Sequence, residues 1–220
     1  MATARDSGVS RPVSFTALEE TIHEAGLQDL SDEAFGKFED YLALLLKWNA
    51  KLNLTAVREP QAIICRHFVE CIQCAQVLPE SSGQQTLLDF GSGAGLPGVP
   101  IAICRPEIRV TLAESQKKKA AFLREVVRSL GLEAEVFDGR VEDMARDRFF
   151  SIVTLRAVDK MADACRVGLR HLVPGGEMVL FATEGTEPAL VTALPEISWR
   201  ERLPIAGSGT GWLLRGQRVQ

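Results

Sequence analysis

A short apolar stretch that runs directly into alternating glycines constrains this chain more than any other feature. Residues Leu87–Phe90 are typical of a buried strand, and a glycine then occupies every second position from Gly91 to Gly95. Glycine adopts positive φ readily and has no Cβ, so such a loop can turn tightly and approach a ligand closely. We expect residues 96–104 to form a helix with Pro97 in its first turn. The start of that helix is therefore the predicted place for a nucleotide-like ligand.

The glycine spacing fits two classes of nucleotide-binding loop. Counted from Gly93, it matches G-x-G-x-x-G through Gly98, a fingerprint of dinucleotide enzymes. Counted from Gly91 and preceded by Asp89, it matches D-x-G-x-G-x-G, the pattern of S-adenosylmethionine (SAM) methyltransferases. Because the apolar run ends at Phe90, the turn that ends the strand falls at Gly91, which favours the SAM pattern. Gly98 then lies within the helix, where its small size allows close packing on the sheet.

An acidic residue after the next predicted strand supports a nucleoside ligand. Residues 109–113 form that strand, and Glu114 follows them. Glu114 lies about 20 residues past the glycine loop, where a carboxylate can accept hydrogen bonds from both ribose hydroxyls. NAD and SAM both carry this ribose, so Glu114 does not distinguish between them.

Composition and charge exclude several classes of protein. The chain has 220 residues, of which 46% are hydrophobic and 25% charged, as in an ordinary globular protein with one core and a smaller appendage. Neither a membrane span nor a signal peptide is expected, since no sufficiently long apolar run occurs. Five scattered cysteines predict reduced thiols in the cytoplasm, and no second pair completes Cys71-x-x-Cys74 as a metal site. The net charge of −4 means that any RNA must bind through a local basic patch or as part of an assembled particle.

The periodicity divides the chain into a helical part and an alternating part. Residues 1–14 are predicted to be flexible, and residues 15–80 to form helices at 15–25, from the N-cap Ser31 to about residue 51, and at 60–78. Residues 86–220 are predicted to hold strands at 86–90, 109–113, 133–137, 150–155, 177–182, 199–203 and 212–219, with helices at 97–104, 116–130 and 159–172. Strand–helix alternation indicates parallel strands with right-handed crossovers. We therefore expect an α/β fold, the class I SAM-dependent methyltransferase (Rossmann-like) sheet, with an N-terminal helical extension.

The end of the fourth predicted strand limits the chemistry. Ligands in such sheets bind outside the carboxyl ends of the strands, and here that end is followed by Arg156-Ala157. The Asn/Asp-Pro-Pro-aromatic tetrad of amine methyltransferases is absent, and so is the nucleophilic Cys of pyrimidine-carbon methyltransferases. Arg156 stays charged, so it is a poor base, although it can bind an anion or a guanine edge. An acceptor that needs no deprotonation, such as guanine N7, therefore suits the site, and a structural salt bridge is the alternative role for Arg156.

The chain resembles the bacterial RsmG (GidB) family over about residues 35–185. The segments that carry the resemblance are Trp48-Asn49, Asn53-Leu54-Thr55-Ala56, Arg66-His67-Phe68, Leu88 to Gly98, Arg140-Val141-Glu142-Asp143 and Arg156-Ala157. The resemblance implies SAM-dependent methylation of N7 of a guanine, position 527 in rRNA numbering, in 16S ribosomal RNA of the small ribosomal subunit.

The resemblance also implies a set of site residues. The implied SAM contacts, taken together with the glycine loop and the ribose-binding acid, are Gly91, Gly93, Gly95, Leu96, Glu114, Val141, Glu142 and Arg156. The residues implied on the RNA side are Asn53, Arg66, His67 and Lys118. Arg156 is expected to position the acceptor electrostatically, and the protein is expected to act as a monomer without a metal.

Three positions depart from the family pattern. Glu114 stands where Asp is commoner, which ribose binding tolerates, and Leu155 replaces a usual Ser. Glu184 stands where relatives often carry Lys, which removes a positive charge near the site. Two alternatives therefore stay open: a SAM methyltransferase acting on another RNA, a small molecule or a protein, and a SAM-binding regulator without catalysis.

Overall fold

The computed structural model of the chain describes residues 13–183, 185, 187–200, 202–206, 208 and 210–219. The helices are α1 (Val13–Glu24), α2 (Asp32–Leu52), α3 (Pro60–Ile63), α4 (Val69–Val77), α5 (Gly98–Cys104), α6 (Lys117–Ser129), α7 (Met161–Arg170) and α8 (Glu187–Ala193). The strands are β1 (Gln85–Phe90), β2 (Ile108–Glu114), β3 (Ala134–Asp138), β4 (Phe150–Leu155), β5 (Leu172–Thr183), β6 (Ile197–Trp199), β7 (Leu203–Pro204) and β8 (Gly211–Arg218). Within these residues, no helix combines the length and the apolar character that crossing a bilayer requires.

A single mixed sheet positions the rest of the fold. Its strand order is β3-β2-β1-β4-β5-β8-β6, and β7 also pairs with β8. Strands β1 to β5 run parallel, whereas β8 runs antiparallel to β5, β6 and β7. The order reverses at β1 and β4, whose last residues Phe90 and Leu155 are paired. Gly91 and Arg156 therefore begin two neighbouring loops at the point where such sheets form a ligand crevice.

Successive strand residues enter two cores on opposite faces of the sheet. Leu87 and Ile152 belong to the first core, and their neighbours Leu88 and Val153 belong to the second. Helices α1, α2, α4, α5 and α6 contribute to the first core, whereas α7 and α8 contribute to the second. The N-terminal helices therefore share one hydrophobic core with the sheet.

The predicted Rossmann-like α/β sheet is confirmed, and so is the Ser31 cap, whose side-chain oxygen accepts a hydrogen bond from the Ala34 N–H (3.2 Å). The predicted helix 60–78 differs, because residues Ile64–Phe68 form a wider π turn between α3 and α4. Helix α1 begins two residues before the predicted start. Residues 1–12 and Glu184, about which the sequence made predictions, lie outside the described residues.

The largest differences from the predicted elements lie after residue 170. The strand predicted at 177–182 begins at Leu172, and the Pro-Gly-Gly segment at 174–176 forms a bulge within it: Phe150 pairs with Leu172 but Ile152 with Glu177. Gly175 allows this bulge because its φ is 75°. The strand predicted at 199–203 is divided between β6 and β7. Helix α8 was not predicted, since seven residues give too short a period to detect.

Candidate active site

A cleft of about 930 Å³ opens at the carboxyl ends of β1 to β4. Four parts of the sheet domain line it: the glycine loop, the segment from Glu114 to Gln116, the turn at 139–142 and the segment after β4 from Arg156 to Lys160. The N-terminal helical part lines it with residues 54–56, His67 and Glu70. The site is thus shared between the two parts of the chain.

The buried carboxylate of Asp89 links the ends of β1 and β4 to the residues that follow the glycine loop. Asp89 accepts a hydrogen bond from the Thr154 hydroxyl (3.0 Å) with Oδ1 and from the Gly98 N–H (3.2 Å) with Oδ2. Burial raises the pKa of Asp89 to about 6. Asp89 therefore caps the start of α5, where the sequence suggested a ligand, so that expectation is corrected: the protein itself occupies this helix terminus. A Cβ on Gly98 would lie 2.3 Å from Leu112, which confirms its predicted packing role.

The three loop glycines serve different purposes. Gly91 and Gly93 have φ of 71° and 55°, and both line the cleft. Gly95 also has a positive φ, 91°, but a Cβ there would lie 2.7 Å from Val99 and 3.1 Å from the Tyr41 hydroxyl. Gly95 therefore has a packing role, and its predicted ligand contact stays a prediction.

Glu114 holds the glycine loop while it faces the cleft. Its Oε2 accepts the Gly93 N–H (2.9 Å) and its Oε1 accepts the Gln116 N–H (2.7 Å). An ionised carboxylate has about four acceptor positions, so two remain for other donors such as ribose hydroxyls. The predicted ribose contact is thus compatible with the geometry and stays a prediction.

Three further predicted contact residues line the same cleft. Leu96 and Val141 are buried, whereas Glu142 is exposed. Val141 and Glu142 lie in a 3₁₀ turn that follows β3. Their contacts with SAM remain predictions, but the structure brings them together with the glycine loop and Glu114.

Among the described residues, a single nitrogen of Arg156 makes all of its hydrogen bonds. Its Nη2 donates to Glu70 Oε2 (2.5 Å), to His67 Nδ1 (3.0 Å) and to the Arg66 carbonyl oxygen (3.3 Å). The guanidinium also lies over the Phe181 ring, 5.3 Å from its centroid. The side chains of Arg156 and Glu70 are only 15% and 14% exposed. Nε and Nη1 of Arg156 have no acceptor among the described residues.

His67 is a neutral side chain fixed at both nitrogens. Nδ1 of His67 lies 3.0 Å from Arg156 Nη2 and 3.1 Å from the Arg66 carbonyl oxygen. Because Arg156 can only donate, we assign the lone pair to Nδ1, and Nε2–H then donates to Thr55 Oγ1 at 2.9 Å. Burial, reinforced by the Arg156 charge, lowers the pKa of His67 to about 4. Burial raises the pKa of Glu70, while Arg156 acts in the opposite direction. Both ring nitrogens of His67 and Oε2 of Glu70 are therefore engaged in hydrogen bonds within the protein.

Three residues predicted on the RNA side do not line the cleft. The Asn53 side chain accepts from Arg58 (2.7 Å) and its backbone is left-handed, with φ of 48°. Arg66 contributes its carbonyl oxygen to Arg156, and its side chain is exposed. Lys118 is exposed on α6, and the adjacent Lys119 lines the cleft instead. These residues can meet a large substrate only outside the cleft.

The sequence did not identify several residues that build the site. Tyr41 donates to the Ala94 carbonyl (2.6 Å) and stacks on Phe68, which ties α2 to the glycine loop. Asn49 is buried and accepts the Thr55 N–H (3.0 Å), which holds the segment facing His67. Glu70 reaches Arg156 across 86 positions of sequence. Only Asn49 carried a signal, as part of a segment on which the family resemblance rests.

Sequence comparisons with known proteins agree on one family. The family model described as rRNA small subunit methyltransferase G (GidB) matches residues 35–197. Ribosomal RNA small subunit methyltransferase G of Stenotrophomonas maltophilia (strain R551-3) is 41% identical over 181 residues, 81% of each chain. The protein of that name from Xanthomonas oryzae pv. oryzae (strain MAFF 311018) is 44% identical over 177 residues, 79% of this chain and 81% of its own. In fold alone, a SAM-dependent O-methyltransferase from Thermotoga maritima is similar, with a TM-score of 0.54 at 14% identity over 80% of this chain and 71% of its own.

Proposed function

The chain belongs to the rRNA small subunit methyltransferase G (GidB) family, and from this premise we propose that it methylates N7 of a guanine in 16S ribosomal RNA with SAM. The cleft suits that cofactor. Glu114 keeps two acceptor positions for ribose hydroxyls, and a Cβ on Gly93 would meet nothing closer than the Gly91 carbonyl oxygen at 3.7 Å, so the loop leaves room for a ligand. SAM supplies an electrophilic methyl group when bound.

The state of the groups around Arg156 carries the proposal. His67 is neutral with both ring nitrogens engaged, Glu70 is paired with Arg156, and Arg156 itself keeps its protons. These hydrogen bonds occupy both ring nitrogens of His67 and Oε2 of Glu70, so the geometry favours a methyl acceptor that needs no deprotonation. The N7 lone pair of guanine is available at neutral pH, so the chain needs only to orient the base for in-line transfer.

The remaining chemistry is the positioning of the cofactor and the base. Gly91, Gly93 and Glu114 are proposed to hold the cofactor, with Val141 and Glu142 beside its adenine. Arg156 is proposed to donate from Nε or Nη1 to the base or its phosphate.

The protein is proposed to work in the cytoplasm, as a monomer, on the small subunit or an assembly intermediate. Because the net charge is −4, RNA contact should be confined to local groups such as Lys118 and Arg66.

Mapping of modified bases tests the proposal directly. Small subunits from cells with and without the gene are compared for N7-methylguanine, and the purified protein is then supplied with labelled SAM and the unmodified subunits. We expect one guanine in 16S rRNA to lose its methyl group in the deleted strain and to regain it in vitro. SAM binding without incorporation into the subunit would overturn the proposal in favour of another substrate or a regulatory role.

A further inference from the structure

The way in which Arg156 is anchored points to a role for Glu70. We propose that Glu70, assisted by His67, accepts hydrogen bonds from both hydrogens of Arg156 Nη2. The guanidinium then cannot form a bidentate pair of hydrogen bonds to O6 and N7 of a guanine. Glu70 is then a positioning residue, which acts through Arg156 and does not touch the methyl acceptor. The inference rests on the proposed function and adds how that function keeps its nucleophile free.

The geometry of a guanidinium makes the anchoring selective. A planar guanidinium can form a bidentate pair through two edges, Nε with Nη2 or Nη1 with Nη2. Both edges include Nη2, which has two hydrogens. Glu70 Oε2 at 2.5 Å and His67 Nδ1 at 3.0 Å accept from this nitrogen. With both hydrogens engaged, Arg156 can offer only single hydrogen bonds from Nε or Nη1.

This restriction matters because of the position of the reacting atom. The commonest specific contact between Arg and guanine is bidentate to O6 and N7. Such a contact would place a hydrogen on the lone pair that must attack the methyl group. An arginine that can only donate singly is able to hold O6 or a phosphate and leave N7 unbonded.

The local structure holds the anchor firmly. Glu70 lies in the first turn of α4, and His67 lies in the π turn before it, where Val69 N–H bonds to the Ile64 carbonyl. Turns of this type are rare and recur at functional sites. Thr55 fixes the His67 ring from the other side, and Asn49 in turn holds Thr55. The pair is mostly buried, so Glu70 has few other partners.

The test separates chemistry from binding. Single-turnover methylation at saturating SAM and RNA is measured for the wild type, Glu70→Ala, Glu70→Gln and Arg156→Ala, together with RNA affinity. We expect Glu70→Ala to slow transfer by roughly 10- to 100-fold, an effect typical of misplaced reactants, with RNA affinity unchanged or tighter. Glu70→Gln, whose amide oxygen can still accept from Nη2, should recover part of the rate. It also keeps the test valid if the alanine variant folds poorly.

A matched control and a double variant complete the experiment. Glu177 forms a similar buried pair with Arg215, at 2.5 Å, away from the cleft, so Glu177→Gln should leave the rate unchanged. Glu70→Ala should have no further effect in an Arg156→Ala background. A wild-type rate for Glu70→Ala, weaker RNA binding in proportion to the rate, or additional slowing in the double variant would each overturn the inference. A wild-type rate for Arg156→Ala would instead overturn the proposed role of Arg156.

Discussion

At the scale of single residues, Gly93 links backbone conformation to ligand access. Its φ of 55° lies in the left-handed region, and its N–H donates to Glu114. A side chain there would cost about 1–2 kcal/mol in backbone strain. It would displace no protein atom, since a Cβ meets only the Gly91 carbonyl oxygen at 3.7 Å. Apart from that strain, a side chain at Gly93 should therefore weaken ligand binding and leave the packing of the protein unchanged.

We expect the free energy of unfolding of Gly93→Ala to be about 1 kcal/mol lower than that of the wild type. We also expect this variant to bind SAM at least about tenfold more weakly. Gly93→Val should abolish measurable binding while the fold persists. Gly131→Ala is the matched control, because Gly131 has φ of 59°, has nothing within 4 Å of its Cβ position and follows the end of α6. Calorimetric titration with SAM that gives equal affinities for the two alanine variants would contradict the assigned loop register.

His67 and Asp89 give the stability of the protein opposite dependences on pH. The pKa of His67 is lowered to about 4, so the unfolded chain takes up a proton near pH 6.5 before the folded chain does. Its contribution to the free energy of unfolding is therefore lost as the pH falls from about 6.5 to 4, on the order of 3 kcal/mol. The pKa of Asp89 is raised to about 6, so its contribution is present at low pH and lost as the pH rises through 6.

Substitution of His67 should remove its part of this pH dependence and leave that of Asp89. We expect the free energy of unfolding of His67→Gln, relative to the wild type, to improve progressively as the pH is lowered from about 6.5 to 4.5. Urea titrations at several pH values measure the difference, with exposed His23→Gln as a control for the loss of one histidine. A difference for His67→Gln that does not change with pH would show that the histidine is not held neutral.

The rate of methyl transfer should be almost independent of pH. His67 is neutral and Arg156 is charged throughout the neutral pH range, and N7 of guanine has no proton to lose. We expect a flat single-turnover rate from about pH 6.5 to 8.5, the window in which an ordinary histidine would titrate. A rise of about tenfold per pH unit would indicate an obligatory base and would argue against N7 as the acceptor.

At the scale of secondary-structure elements, the first turn of α6 carries cations that oppose the helix dipole. Lys117, Lys118 and Lys119 form its first turn, which contains no acidic residue, and Arg128 lies in its last turn. Cations at a helix N-terminus are unfavourable by roughly 0.3–1 kcal/mol each. A polyanion bound beside the cleft would relieve this repulsion, and Lys119 lines that cleft.

We expect Lys118→Ala to stabilise the free protein slightly and to weaken RNA binding, with a salt slope reduced by about 1. Arg128→Ala is the control on the same helix: removal of this exposed cation should slightly destabilise the fold and leave RNA affinity unchanged. Filter binding across a salt series measures the slopes. Identical slopes for the wild type and Lys118→Ala would place the RNA elsewhere.

At the scale of the whole molecule, the helical part and the sheet are joined by their packing. The first core contains Leu18, Phe38 and Ile72 from the helices together with Leu87 and Val110 from the sheet. Trp48 of α2 packs on Phe122 of α6, with ring centroids 5.8 Å apart. The division into residues 15–80 and 86–220 therefore describes two parts that we propose unfold together.

Tryptophan fluorescence can test this cooperativity. Trp48→Phe leaves Trp199 and Trp212 as reporters of the sheet, and the Trp199→Phe/Trp212→Phe variant leaves Trp48 as the reporter of the helices. We expect the same urea midpoint and slope for both reporters once each is compared with circular dichroism of the same variant. A lower midpoint seen by Trp48 alone would show that the helical part unfolds independently.

The sequence by itself determined the features that depend on neighbouring residues. The strand, the positive-φ loop, the Ser31 cap and the alternation after residue 86 follow from local backbone preferences and from periodicity. The same local patterns were insufficient for the π turn at 64–68 and for the division of the strand at 199–203. These depend on what each segment packs against.

Only the tertiary structure decided how the site is held. Arg156 could be predicted as a site residue, but its partner Glu70 lies 86 positions away, and no local signal joins them. The sequence likewise could not show that Asp89 caps α5 or that Tyr41 crowds Gly95, because both depend on atoms brought together by helix packing on the sheet. Local preferences act over a few residues, whereas the contacts that aim a guanidinium arise from the closure of the whole core.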